Sequence, residues 1–393
     1  MTLVTPPLSL YVHVPWCVKK CPYCDFNSHQ GRGELPLTQY VDALIADLDF
    51  DLPLVWGRTI RTVFFGGGTP SLMPAALIDR FLQQASSRLR FAPDCEITLE
   101  ANPGTSEYDK LADYRAAGVN RLSFGVQSFD DGCLERLGRI HDSTQAATAI
   151  RQAQDAGFGE VNLDLMYALP GQDLAMAERD VERALALAPT HISHYQLTLE
   201  PNTVFAARPP RNIPDDDLAW DMQEHCQAML ADAGYAHYET SAYARPGHRC
   251  EHNLNYWRFG DYLGIGAGAH AKITLGAEQT ILRRWKHKHP TQYLATAGTA
   301  AALGGDERIE PARRPFEFML NALRLHEGFS WTQFEARTGL PRNAIDAPIG
   351  EAVARGWLSH DGERVWPTEA GRRFTNDVLE LFLDVEVAAD IGA

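Results

Sequence analysis

The sequence predicts an α/β protein: a partial (β/α)6 barrel of the TIM type, followed by a helical, winged-helix-like C-terminal domain. Three observations carry this. Between residues 8 and 233, six short β-branched runs alternate with longer amphipathic stretches, the order that builds a parallel sheet. Polar residues and glycines gather just after each run, where α/β barrels place their working groups. From Pro311 the composition changes to three helical stretches, two short strands around an Asp-Gly turn, and a last helix.

The expected strands are 9–14, 62–65, 96–100, 121–126, 160–166 and 192–199. The stretches between and after them, 38–52, 74–89, 106–118, 143–157, 174–187 and 215–234, repeat apolar residues at intervals of three and four, the helical period. Gly118, Gly157 and Gly234 stand where a left-handed C-cap is wanted. Strand interiors read as apolar. Three units follow: a barrel over 1–235, an extension over 236–310 and a terminal domain over 311–393. In the terminal domain, residues 343–355 offer Arg355 against Asp346 and Glu351, with Arg342 just before. A DNA-reading helix should be basic, so a covering or docking role is expected and no nucleic acid.

The chain has 393 residues, 45% hydrophobic and 22% charged, with a formal net charge of -15. That balance fits an ordinary globular protein and argues against a general nucleic-acid binder. Seven cysteines, four of them scattered (Cys95, Cys133, Cys226, Cys250), fit a reducing cytoplasm. The N-terminus lacks a basic segment and cleavage site, and no run is long enough to span a bilayer. A cytoplasmic location is expected.

The segment Tyr11 to Asn27 reads YVHVPWCVKKCPYCDFN and places Cys17, Cys21 and Cys24 at C-x3-C-x2-C spacing after a strand. Three thiolates this close suit three irons of a cubane [4Fe–4S] cluster, leaving the fourth iron to an outside ligand. Zinc more often pairs two C-x2-C motifs or adds histidines, and His13 and His29 complete no such spacing. The run Gly66-Gly67-Gly68-Thr69-Pro70 lacks the spacing of a P-loop or a dinucleotide loop. It is either a plain turn or a stretch of bare backbone against which a ligand lies. Glu100 ends the third strand, Gln127 follows the fourth and Asp164 lies near the end of the fifth. Each acid reads equally as a helix cap or an arginine partner, but their shared place at one rim marks a single site.

The cysteine spacing, with Tyr23 before the third thiol, resembles the signature of radical S-adenosylmethionine (SAM) proteins. FFGGGTPSLM, TLEANPGT, RLSFGVQSF and DLMYALPGQ are similar to core segments of oxygen-independent coproporphyrinogen III dehydrogenase and its relatives. The likeness runs from about Ser9 to Ile273, more weakly to the C-terminus. It implies a radical SAM barrel with Cys17, Cys21 and Cys24 on the cluster. It also implies SAM held by Tyr11, Gly67, Gly68, Thr69, Glu100, Gln127, Arg139 and Asp164.

Two departures count against the dehydrogenase. Phe26 stands where its cluster loop has a further cysteine, and only 16 residues precede Cys17. Instead, His252-Asn253-Leu254-Asn255-Tyr256-Trp257 and the glycine-rich run after it resemble the radical SAM haem chaperones. By itself His252 reads first as a histidine hydrogen-bonded in a packed Tyr/Trp corner. The resemblance makes it an axial haem ligand, with Cys250 the second choice. The implied function is haem binding and transfer to acceptor haem proteins, respiratory ones at the inner membrane face among them. A flavodoxin or ferredoxin would serve as electron donor. The alternatives are the coproporphyrinogen dehydrogenase itself and a cluster-sensing winged-helix transcription factor.

Overall fold

The computed structural model describes residues 1–103, 110–383 and 385. Six strands form the centre of the molecule: β1 (Leu8–Val14), β2 (Thr59–Gly67), β3 (Arg90–Ala101), β4 (Arg121–Gln127), β5 (Glu160–Tyr167) and β6 (His191–Gln196). They pair in parallel and in chain order. The helices after them are α1 (Leu37–Asp51), α2 (Ala75–Ser86), α3 (Leu111–Ala116), α4 (Asp131–Arg136), α5 (Ser143–Asp155), α6 (Leu174–Ala186) and α7 (Asp216–Asp232). The helix expected over 106–118 is seen as α3, and its residues 106–109 lie outside the described ones. Gly118, Gly157 and Gly234 are all left-handed, as their places after helices required.

The sheet is wider than six strands. β7 (Ala236–Glu239) and β8 (Ala242–Ala244) extend it antiparallel beyond β6. At the other edge β9 (Asp261–Ile265) pairs parallel with β1. β10 (His270–Leu275), β11 (Thr280–Lys286) and β12 (Leu303–Arg308) follow antiparallel, giving twelve strands among the described residues. Between β8 and β9 lies α8 (Glu251–Trp257), the helix of the HNxxYW segment. Its His252 meets Thr62 of β2, so this helix sits against the inner face of the sheet.

Each central strand has two chemically different faces, because successive side chains alternate. Leu8, Leu10, Val12 and Val14 of β1, with Val63, Phe65, Leu99, Leu122, Leu163 and Ile192, face the helices and form the main core. The other face is polar. Thr98, Glu100, Arg121, Ser123, Asn162, Asp164, His191 and Ser193 line an interior cavity of about 250 Å3. The expectation of apolar strand interiors therefore holds on the outer face alone.

The C-terminal part contains α9 (Arg314–Ala322), β13 (Phe329–Ser330), α10 (Trp331–Thr338), α11 (Asp346–Ala354), β14 (Leu358–His360) and β15 (Arg364–Pro367). A three-stranded sheet in the order β13-β15-β14 backs the helices, one strand more than expected. A second core joins Phe318, Phe329 and Phe334 of this part to Leu3, Phe259, Ile281 and Ile309. On α11 the charges are matched: Arg355 pairs with Glu351, and Arg342 lies 3.8 Å from Asp346.

Candidate active site

The site begins where β1 ends. After Val14 the chain forms a two-residue ladder, Trp16–Cys17 with His29–Gln30, which closes the base of the cysteine loop. Gly31 N donates to Cys17 O at 2.9 Å, and a turn from Cys21 to Cys24 (3.2 Å) brings the later thiols back. The glycine loop after β2 is pinned to the same segment, with Gly68 N donating to Val14 O and Thr69 N to Trp16 O, both at 2.7 Å. A Cβ on Gly68 would stand 2.5 Å from the Trp16 carbonyl oxygen, so this glycine is demanded by the chain's own backbone. Its neighbour Gly67 has φ +117 and donates its N–H to Glu100 Oε2 at 3.1 Å.

Cys17, Cys21 and Cys24 are free thiols and line one cavity of about 570 Å3. Gly67, Gly68, Thr69, Glu100, Gln127, Arg139 and Asp164 line it as well. Among the described residues no three His, Cys, Asp or Glu side chains form a single-ion cage. All three thiols open onto the same cavity, the arrangement that a cluster held by three thiolates requires. Arg139 reaches across from the segment after α4, its Nη1 3.5 Å from Cys21 Sγ and 3.4 Å from the Tyr23 hydroxyl. Its Nη2 donates to Gly125 O at 2.6 Å, while Nε is buried without a partner.

The electrostatics favour a positive guest. Burial and the nearby charge of Asp164 push the Glu100 carboxyl up to about 8, against the opposing Gly67 N–H. Burial raises Asp164 too, although Asn162, Ser193 and Ser123 bond to it. Burial likewise raises the thiols of Cys17 and Cys24. Two buried acids facing one cavity are stabilised in their ionised form by a cation placed between them.

Two predicted residues lie elsewhere. Tyr11 is behind Glu100, in an adjoining cleft, with its hydroxyl 2.9 Å from His13 Nδ1. His252 is 1% exposed and makes the hydrogen bonds of a packed corner. The Thr62 hydroxyl donates to Ser9, so His252 Nδ1 donates to Thr62 (2.7 Å) and Nε2 accepts from Tyr256 (3.0 Å). Its ring also stacks on Phe64 at 4.9 Å. Haem ligation by His252 would require one ring nitrogen to give up its partner and the buried ring, kept neutral with its pKa pushed down to about 3, to reach open space. Cys250 is buried as well, its thiol pushed up to about 12.

Other residues of the cavity carried little signal. Tyr195 donates to Gln127 Oε1 at 2.9 Å, and the inward alternation of β6 could have singled it out. Asn102 accepts from Arg139 at 3.3 Å and stands in the Glu100-Ala-Asn-Pro run. Arg324 enters from beyond α9, and no local pattern marks it.

The radical SAM superfamily model matches residues 11–184, and the HemN C-terminal domain model matches residues 309–374. Coproporphyrinogen III oxidase (HemN) from Escherichia coli, described as a radical SAM enzyme, superposes with a TM-score of 0.80 at 26% identity, over 96% of this chain and 90% of that one. Fold and site together define a radical SAM protein of the HemN-like kind. Heme chaperone HemW of Escherichia coli is 50% identical over 96% of this chain and 98% of its own length. The protein of that name from Haemophilus influenzae is 46% identical over 97% and 99%. The chain belongs to the HemW family of radical SAM proteins.

Proposed function

We propose that this protein is a haem chaperone which holds a [4Fe–4S] cluster and SAM at the mouth of its barrel and passes haem to acceptor proteins. The single observation that carries it is near full-length identity of 50% to a protein named heme chaperone HemW, against 26% to the oxidase. The cavity supports the cofactor half. Cys17, Cys21 and Cys24 would hold three irons, and among the described residues no further cysteine lines the space. Glu100 and Asp164 supply the negative charge that the ammonium and sulfonium of SAM need. Gly67, Gly68, Thr69, Gln127 and Arg139 supply backbone and polar contacts around it. When bound, the cluster supplies an electron to the sulfonium of SAM.

The chain's own contribution is to orient and to enclose. The ladder at Trp16–Cys17 fixes the thiol loop, and the glycine loop fixes Thr69 against it. Arg139 places a permanent positive charge beside Cys21, its Nη1 in contact with the sulfur at 3.5 Å. Tyr11 shares the adjoining cleft with Glu100, its hydroxyl held by His13. Acceptors are haem proteins, respiratory ones at the inner membrane face included, with a flavodoxin or ferredoxin as electron donor. Among the described residues no helix is long and apolar enough to cross a membrane.

Anaerobic reconstitution followed by haem titration tests the reading, with a Cys17/Cys21/Cys24→Ser triple variant as the cluster-free control. Haem binding by the reconstituted protein, with coproporphyrinogen left unconsumed in the presence of SAM and reductant, is expected. Protoporphyrinogen formation would overturn it in favour of the dehydrogenase.

A further inference from the structure

Resting on the haem-chaperone reading, we propose that haem binds in the cleft beside the cysteine cavity, with His270 as the axial ligand. The cleft measures about 420 Å3 and is walled by Tyr11, Tyr256, Tyr262 and Phe26, with Lys288 also along its lining. An iron porphyrin asks for flat apolar walls, a neutral imidazole and a cation for its carboxylates, and this cleft carries all three.

His270 opens β10, just past the left-handed Gly266 and Gly268. The residue is exposed overall, its ring lies alongside Trp285 at 6.0 Å and 20°, and neither ring nitrogen makes a hydrogen bond among the described residues. Burial of part of the ring, with Lys288 and Arg283 nearby, lowers its pKa, so it is neutral at pH 7. The other imidazoles here are engaged. His13 uses both nitrogens, on Tyr11 and on Asn27 O (2.8 Å), and His252 uses both inside the barrel.

The HNxxYW segment then acquires a different job. Tyr256 walls the cleft, and the hydrogen bond from its hydroxyl to His252 Nε2 sets the angle of its ring. Tyr256 also meets Tyr262 edge-on at 4.6 Å. His252 is thus a positioning residue for the wall, not the ligand. Phe26, Gly67 and Glu100 line both spaces, so haem in this cleft would rest against the cysteine loop.

The experiment titrates haem into the full-length reconstituted protein, followed by absorption and by electron paramagnetic resonance of the ferric haem. His270→Ala should weaken binding about tenfold or more and remove the imidazole-ligated signature. Free imidazole should restore that signature in His270→Gly. His252→Ala should keep it, with a smaller loss of affinity. Wild-type spectrum and affinity in His270→Ala would overturn the assignment while leaving the haem-chaperone reading intact. So would loss of the signature in a His252→Ala protein whose melting temperature shows it folded. Failure of the wild type to bind haem would remove the chaperone reading and this site with it.

Discussion

Glu100 shows how a single carboxyl ties this site to pH. Its native pKa of about 8 lies above the ordinary carboxylate value, so the folded protein holds a proton that the unfolded chain releases. Stability attributable to this group is present at low pH and is lost as pH rises from the unfolded pKa toward about 8. Glu100→Gln keeps an acceptor for Gly67 N–H and removes the charge. In the cofactor-free protein it should raise stability at pH 8.5 more than at pH 5.5, by about 1 kcal/mol or more, in urea titrations. An equal effect at both pH values would mean that the carboxyl is ionised throughout. A second residue-scale case is Thr62, the partner of His252 Nδ1. Thr62→Val leaves a buried ring N–H unpaired and should cost about 1–3 kcal/mol in unfolding free energy, with the cysteine cavity undisturbed.

At the scale of elements, the glycine loop is decided by contact between two loops. Gly68→Ala would drive a methyl group into the Trp16 carbonyl, which is backbone and has little room to give. We expect a loss of about 2 kcal/mol and lower iron and sulfide content after reconstitution, because the displaced segment carries Cys17. Full cluster content with unchanged stability would show that the loops separate freely. The cysteines, Gly67, Gly68, Thr69, Glu100, Gln127 and Asp164 were legible because each closely follows or ends a strand. Tyr195 and Arg324 were not. Tyr195 is one step inside a run read as apolar, and Arg324 arrives from far along the chain. His252 was legible as part of a motif, yet its orientation depends on Thr62 and Tyr256, which only packing brings to it.

For the molecule as a whole, buried neutral histidines set the response to acid. Burial holds His13 and His141 down to about 4 and His194 and His252 down to about 3. His191 is also held low by burial. Such groups contribute stability above their unfolded pKa and lose it as pH falls toward the native values, each at up to about 1.4 kcal/mol per pH unit. With His237, held at about 4, and His326, at about 3, they act against the raised carboxyls of Glu100, Asp164 and Asp180 over the window where both titrate. Stability should therefore fall steeply below about pH 6, with several protons taken up on unfolding, as denaturant titrations across pH would show. A flat profile down to pH 4 would contradict this. The terminal domain shares a core with the barrel edge, so a chain ending at Glu310 would expose Phe259 and Ile281. It should aggregate or melt well below the full-length protein, as calorimetry and light scattering would show.

What the sequence by itself determined was local: six strand–helix units, the thiol spacing, and the rim to which polar residues belong. These follow from periodicity and from residue types whose chemistry acts over a few positions. Tertiary structure alone decided the width of the sheet, because β9 meets β1 across some 250 residues of chain. It also decided the polarity of the barrel interior and the inward turn of His252. Those features depend on which distant groups satisfy one another's hydrogen bonds once water is excluded.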